Sequence, residues 1–142
     1  MKWIFVDTSA WYAFIDKNDP DHIYAKGFYG NNTIPFITTN FIFDETVTLI
    51  MSRLGWDVAA TFGESLKKSN FANIVPVAGT DEERAWQIFM KYRNIGFSYT
   101  DCTSFALMER LKIDTAFTFD EHFKTMRFKI VPGEATKYKS MD

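Results

Sequence analysis

Short apolar runs alternate with stretches of helical pattern along this chain, and that alternation leaves few folds open. Residues 2–6, 34–38, 73–77, 115–119 and 128–131 are rich in aromatic and β-branched side chains, as short buried strands are. Helices are expected between them, over 10–15 behind a Thr8-Ser9 cap, 22–29, 39–54 with Gly55 as the stop, and 56–69. Thr80-Asp81-Glu82-Glu83 reads as a capping box opening a helix to Arg93, and Ser98 or Thr100 caps a helix that carries Asp101 to Lys112. A short helical turn is expected over 120–124. Pro35 puts the second strand at an edge or at its own beginning, and Pro76 weakens the third. The expected fold is α/β: a single-domain open parallel sheet of four or five short strands flanked by helices. Residues 1–132 form that domain, followed by a polar, mobile tail over 133–142. A chain of 142 residues, 46% hydrophobic and 18% aromatic, has the side chains for one sizeable core.

Acidic residues recur where such a fold would gather side chains. Asp7 closes the run Trp3-Ile4-Phe5-Val6, and Asp120 closes Thr115-Ala116-Phe117-Thr118-Phe119. In open parallel sheets, ligands bind beyond the carboxyl ends of the strands. Asp101 opens its helix, where the dipole favours a negative charge, and each of these three could simply cap or start a helix. Glu45 is harder to explain locally. Its helical neighbours are Phe41, Ile42, Thr48 and Leu49, with no Lys or Arg within a turn, and a carboxylate facing apolar surroundings needs a partner or a cation. Asp44 is its rival for the inward position. Ser9 and Thr118 each stand two residues from an acid and could orient it, although capping and strand propensity would account for them equally well. Carboxylates gathered without basic neighbours repel, so such a cluster calls for a divalent cation, and oxygen donors suit Mg²⁺ or Mn²⁺ rather than zinc.

The bulk numbers exclude other classes. A net charge of −2 provides no general attraction for nucleic acid, so a phosphate-bearing substrate must be held locally. No apolar stretch approaches a membrane span, the N-terminal run is too short for a signal peptide, and Cys102 has no partner for a disulfide. A cytoplasmic protein is the expectation. Cys102 reads as a small core residue, Trp11, Tyr12 and Phe14 as packing residues, and His22 as an ordinary surface or helix residue. His122 lies near Asp120 and could touch substrate, but a partly exposed structural role is the stronger reading.

Four segments in register then resemble the PIN domain, in particular the small VapC-type ribonucleases. They are Val6-Asp7-Thr8-Ser9-Ala10, Asn40-Phe41-Ile42-Phe43-Asp44-Glu45-Thr46, Ser98-Tyr99-Thr100-Asp101-Cys102-Thr103-Ser104 and Thr118-Phe119-Asp120-Glu121-His122-Phe123. The resemblance implies that Asp7, Glu45, Asp101 and Asp120 form an acidic metal site, with Ser9 and Thr118 as supporting hydroxyls. Asp44 and Glu121 add acidity beside two motif positions and could replace a neighbour. The resemblance further implies a Mg²⁺- or Mn²⁺-dependent endoribonuclease acting on RNA, a toxin silenced by a cognate antitoxin protein, and a homodimer. Asp7, Asp101 and Glu45 are the expected direct ligands, with Asp120 binding through water. A non-catalytic PIN-like module that binds RNA or protein is the alternative. A phosphatase with an aspartate nucleophile lacks the second Asp and positioned Lys near Asp7 that its chemistry needs.

Overall fold

A computed structural model describes residues 2–133, so the tail expected over 133–142 lies, from 134 onward, outside the described residues. In chain order the elements are β1 (Ile4–Val6), α1 (Thr8–Ile15), α2 (His22–Asn31), β2 (Phe36–Thr39), α3 (Asn40–Leu54) and α4 (Trp56–Lys68). There follow β3 (Ala72–Val75), α5 (Gly79–Lys91), α6 (Tyr99–Leu111), β4 (Thr115–Phe117), α7 (His122–Thr125) and β5 (Lys129–Val131). All five strands run parallel in the order β3-β2-β1-β4-β5.

This order makes β1 the centre and the point where the winding reverses. Right-handed crossovers carry the chain outward from β1 through β2 to β3, then back across to β4 and β5. The helices between the first three strands therefore cover one face, and those after β3 cover the other. Register assigns the strand side chains accordingly. Ile4 pairs with Phe36 and Val6 with Phe117, so these four share a face. Phe36 and Phe117 there meet Phe28 of α2, and Phe36 also meets Trp11 of α1. Phe5 points to the opposite face, against Phe123, which contacts Phe105 of α6 in turn. Phe5, Phe105, Phe117 and Phe123 are fully buried, each contributing roughly 1.5–3 kcal/mol of apolar burial.

Helix α6 is buried continuously from Asp101 to Met108, including Cys102 as expected. Its polar residues are satisfied locally, since Thr103 and Ser104 both donate to the Thr100 carbonyl. Ser98 rather than Thr100 caps it, accepting from the Asp101 amide at 3.0 Å. Arg110, near its other end, grips the buried Asp81 of α5 through two hydrogen bonds of 2.7 and 3.0 Å. That guanidinium holds the Asp81 carboxyl below the usual carboxylate range. The two helices are thus locked together, which fixes the height at which Asp101 emerges.

Several boundaries differ from expectation for identifiable reasons. The α5 capping box at Thr80 is not formed, because the helix starts earlier, with Ala78 at the N-cap and Asp81 accepting from its amide. Pro35 precedes β2 at its own beginning, while the sheet edges are β3 and β5. Pro76 falls just after β3, which ends at Val75 and so keeps its ladder intact. Strand β4 stops at Phe117, because Thr118 and Phe119 turn into the site. Gly55 takes φ +97°, a left-handed value that lets α3 end and α4 begin on a single residue. No helix among the described residues is long and apolar enough to cross a membrane.

Candidate functional site

A pocket of about 340 Å³ is lined by Asp7, Ser9, Glu45, Asp101, Asp120 and His122, together with Thr8, Gly96 and Ser98. It lies beyond the carboxyl end of β1, beside β4, where the winding reverses, as parallel sheets of this kind dictate. Four acids from four separate parts of the chain, between Asp7 and Asp120, therefore share one cavity. None of the residues lining it is Lys or Arg.

Asp7 occupies the N-cap position of α1, yet its side chain makes no capping bond. Its carboxylate is taken by the site instead. Ser9 Oγ donates to Asp7 Oδ2 at 3.0 Å, and Thr118 Oγ1 donates to the same oxygen at 2.9 Å. Oδ1 is left without a hydrogen bond among the described residues. The two hydroxyls also receive protons. Ser9 Oγ accepts from the Phe119 amide, and Thr118 Oγ1 from the Asp120 amide, each at 3.0 Å. This web stitches the start of α1 to the segment after β4. Backbone pairing supports the stitch, because the Asp7 amide donates to the Phe117 carbonyl at 3.1 Å.

Glu45 reaches the pocket from α3, whose Ile42, Thr46 and Ile50 form the buried stripe. Thr46 Oγ1 donates to Thr8 Oγ1 at 3.2 Å and so pins this turn of α3 to α1. Asp44 is exposed and outside the pocket, and Glu121 is exposed as well. Of these two pairs of neighbours, Glu45 and Asp120 are the ones that line the pocket.

Asp101, Asp120 and His122 make the tightest group, with one donor atom from each lying within 4.8 Å of the others. His122 Nδ1 is 3.3 Å from Asp101 Oδ2 and 3.5 Å from Asp120 Oδ1. Sequence reasoning ranked this histidine as structural ahead of a substrate contact. The one available signal was its position two residues after Asp120, inside a turn too short to show periodicity. Asp7 and Glu45 line the same pocket and both interact electrostatically with Asp101.

Electrostatics follow from this crowding. Burial pushes the Asp7 carboxyl up to about 7, and the Asp101 charge adds to the push against the pull of the two hydroxyls. Asp101 is raised too, first by burial and then by Asp120, with His122 opposing. The Cys102 thiol, raised to about 11 by burial, is no nucleophile at neutral pH. A partly buried, mutually repelling set of oxygen donors with no Lys or Arg in the pocket fits a hard divalent cation. A second cleft, of about 450 Å³, is lined by Trp11, Phe14, Tyr29, Phe62 and Phe71 among others, and Asp57 is its sole acid or base.

The profile of the PIN domain matches residues 4–129. The chain is 33% identical over 131 residues to the 23S rRNA-specific endonuclease VapC20 of Mycobacterium tuberculosis, covering 92% of this chain and 99% of that one. The crystal structure of Mycobacterium tuberculosis VapC20, described as a sarcin-ricin loop cleaving toxin, superposes with a TM-score of 0.83 at 31% identity. It covers 88% of this chain and 95% of that one. DNA-bound VapBC from Salmonella typhimurium shares the fold at a TM-score of 0.67 and 15% identity, over 92% of this chain and 97% of that one.

Proposed function

The chain belongs to the PIN domain family, and from that premise we propose that it is a metal-dependent endoribonuclease hydrolysing RNA phosphodiester bonds, the toxin of a toxin–antitoxin pair. The observation that carries this reading is the convergence of Asp7, Glu45, Asp101 and Asp120 on one pocket that no Lys or Arg lines. Those four acids are assigned as the metal-holding, catalytic set, with Mg²⁺ or Mn²⁺ as the ion. A bound ion supplies Lewis acidity toward the attacking water and a counter-charge for the scissile phosphate.

The chain's own residues do the positioning. Ser9 and Thr118 hold Asp7 Oδ2, so that carboxylate presents a fixed face to the pocket. Asp120 is registered by two amide contacts, its own N–H to Thr118 and that of His122 to its Oδ1. Unneutralised, the four acids would repel a polyanion, so RNA enters only once their charge is offset. Thr118→Val removes both a donor to Asp7 and the acceptor of the Asp120 amide. Cleavage is expected to fall by about 10- to 100-fold with the fold retained, as read by initial rates and circular dichroism.

Ribosomal RNA is the first substrate to try, because the relative that shares a third of its residues is named for 23S rRNA. Purified protein is incubated with 23S rRNA and unrelated RNAs, with Mg²⁺, Mn²⁺ or a chelator. Discrete cuts that require metal are expected. Absence of metal-dependent cleavage in every RNA would favour a binding module that keeps the fold. The antitoxin partner is supported by the likeness in fold to VapBC. The homodimer is supported by exposed Trp86, Phe89 and Met90 on α5. A cytoplasmic location completes the reading and is consistent with a buried, unpaired Cys102.

A further inference from the structure

We propose that His122 is itself a ligand of the divalent cation and that its nitrogen biases the site toward Mn²⁺ over Mg²⁺. This inference rests on the metal-dependent reading above. Its first support is aim. Nδ1 lies 3.3 Å from Asp101 Oδ2 and 3.5 Å from Asp120 Oδ1, between carboxylates delivered by two different parts of the fold. A histidine present only to satisfy one acceptor has no need of the second. With Asp101 and Asp120 it offers three donor atoms within 4.8 Å of one another, the spacing of ligands around a single ion.

The second support is rigidity. The ring stands edge-on to Phe97, centroids 5.0 Å apart at 79°, and Phe97 is itself buried against Phe105. The backbone amide of His122 donates to Asp120 Oδ1 at 2.9 Å, so the carboxylate and the imidazole are registered by one short segment. The ring is therefore held in place from behind while its Nδ1 edge faces the acids. Coordination requires the neutral tautomer with its proton on Nε2, leaving the Nδ1 lone pair for the ion.

The chemistry decides the preference. Mg²⁺ demands a near-octahedral oxygen shell and loses water reluctantly, whereas imidazole is a better donor to later divalent ions than to Mg²⁺. One nitrogen among oxygens should therefore strengthen Mn²⁺ binding more than Mg²⁺ binding.

Pulsed electron paramagnetic resonance of tag-free protein loaded with Mn²⁺ tests this directly. The expected spectrum shows ¹⁴N modulation from a coordinated imidazole, lost in His122→Gln. Calorimetric titration of the same two proteins should show Mn²⁺ affinity falling about tenfold or more in the variant, with Mg²⁺ affinity little changed. Bound Mn²⁺ without ¹⁴N modulation in the native protein overturns the inference and leaves the acidic metal site standing. Modulation that persists in His122→Gln, or equal losses of Mn²⁺ and Mg²⁺ affinity, also overturns it. Failure of the native protein to bind Mn²⁺ at all would sink both this inference and the proposed function. The native spectrum needs no variant, so the test survives a substitution that folds poorly.

Discussion

Replacing Asp101 with Asn is expected to lower RNA cleavage on the order of a thousandfold while leaving the fold intact. Asp101 sits at the junction of the pocket, sensing Asp120, His122 and Glu45 at once. The substitution keeps its size and its place in the first turn of α6 but removes the charge that a cation would meet. Ser98 still caps the helix, because its bond is to the backbone amide of residue 101 and not to the side chain. Stability should not suffer, since the native carboxyl is raised by burial and by its neighbours. The measurement pairs initial cleavage rates at saturating metal with thermal melting. A variant within tenfold of the native rate would take Asp101 out of the chemistry.

The second large effect concerns stability and has an unusual sign. Asp7→Asn should abolish cleavage yet make the metal-free protein more stable at pH 8, by ~2–4 kcal/mol. Burial and the Asp101 charge raise the Asp7 carboxyl from 3.8 to about 7 in the folded protein. Between those values the unfolded chain has released the proton and the native state still holds it. Native stability is therefore lost as pH rises through that window, and the deficit is constant above it. The gap between Asp7→Asn and native protein should open from about pH 4 to pH 7 and then level. Taking the difference between the two proteins cancels the opposite trend of groups such as Asp81, whose lowered carboxyl stabilises the fold except in acid. Added Mn²⁺ should close the gap by stabilising the native protein alone. A difference independent of pH, or a variant less stable than native at pH 8, would contradict this account of Asp7.

The architecture was legible because alternation of strand and helix admits few parallel topologies, and the two acid-terminated runs hold β1 and β4. Glu45 was legible from its lack of a nearby base, and its preference over Asp44 follows from the phase of the Ile42, Thr46, Ile50 stripe. Local details were less so. Thr118 reads as strand by propensity, and its amide does bond to the Val131 carbonyl, yet its hydroxyl serves a carboxylate 111 residues away, a partner that no local window contains. The start of α5 was misplaced because Asp81 is committed both to the Ala78 amide and to Arg110 on another helix. The setting of His122 was not legible because it is made by Phe97 and Asp101, neither of them near in sequence.

The tie between Ser9, Asp7 and Thr118 has a bearing on how such a protein is made. A nascent chain that has emerged from the ribosome only as far as Phe117 already carries Asp7, Glu45 and Asp101. It still lacks the hydroxyl that steadies Asp7, the fourth acid and the histidine. A site assembled this way stays incomplete until the residues that follow Phe117 are in place.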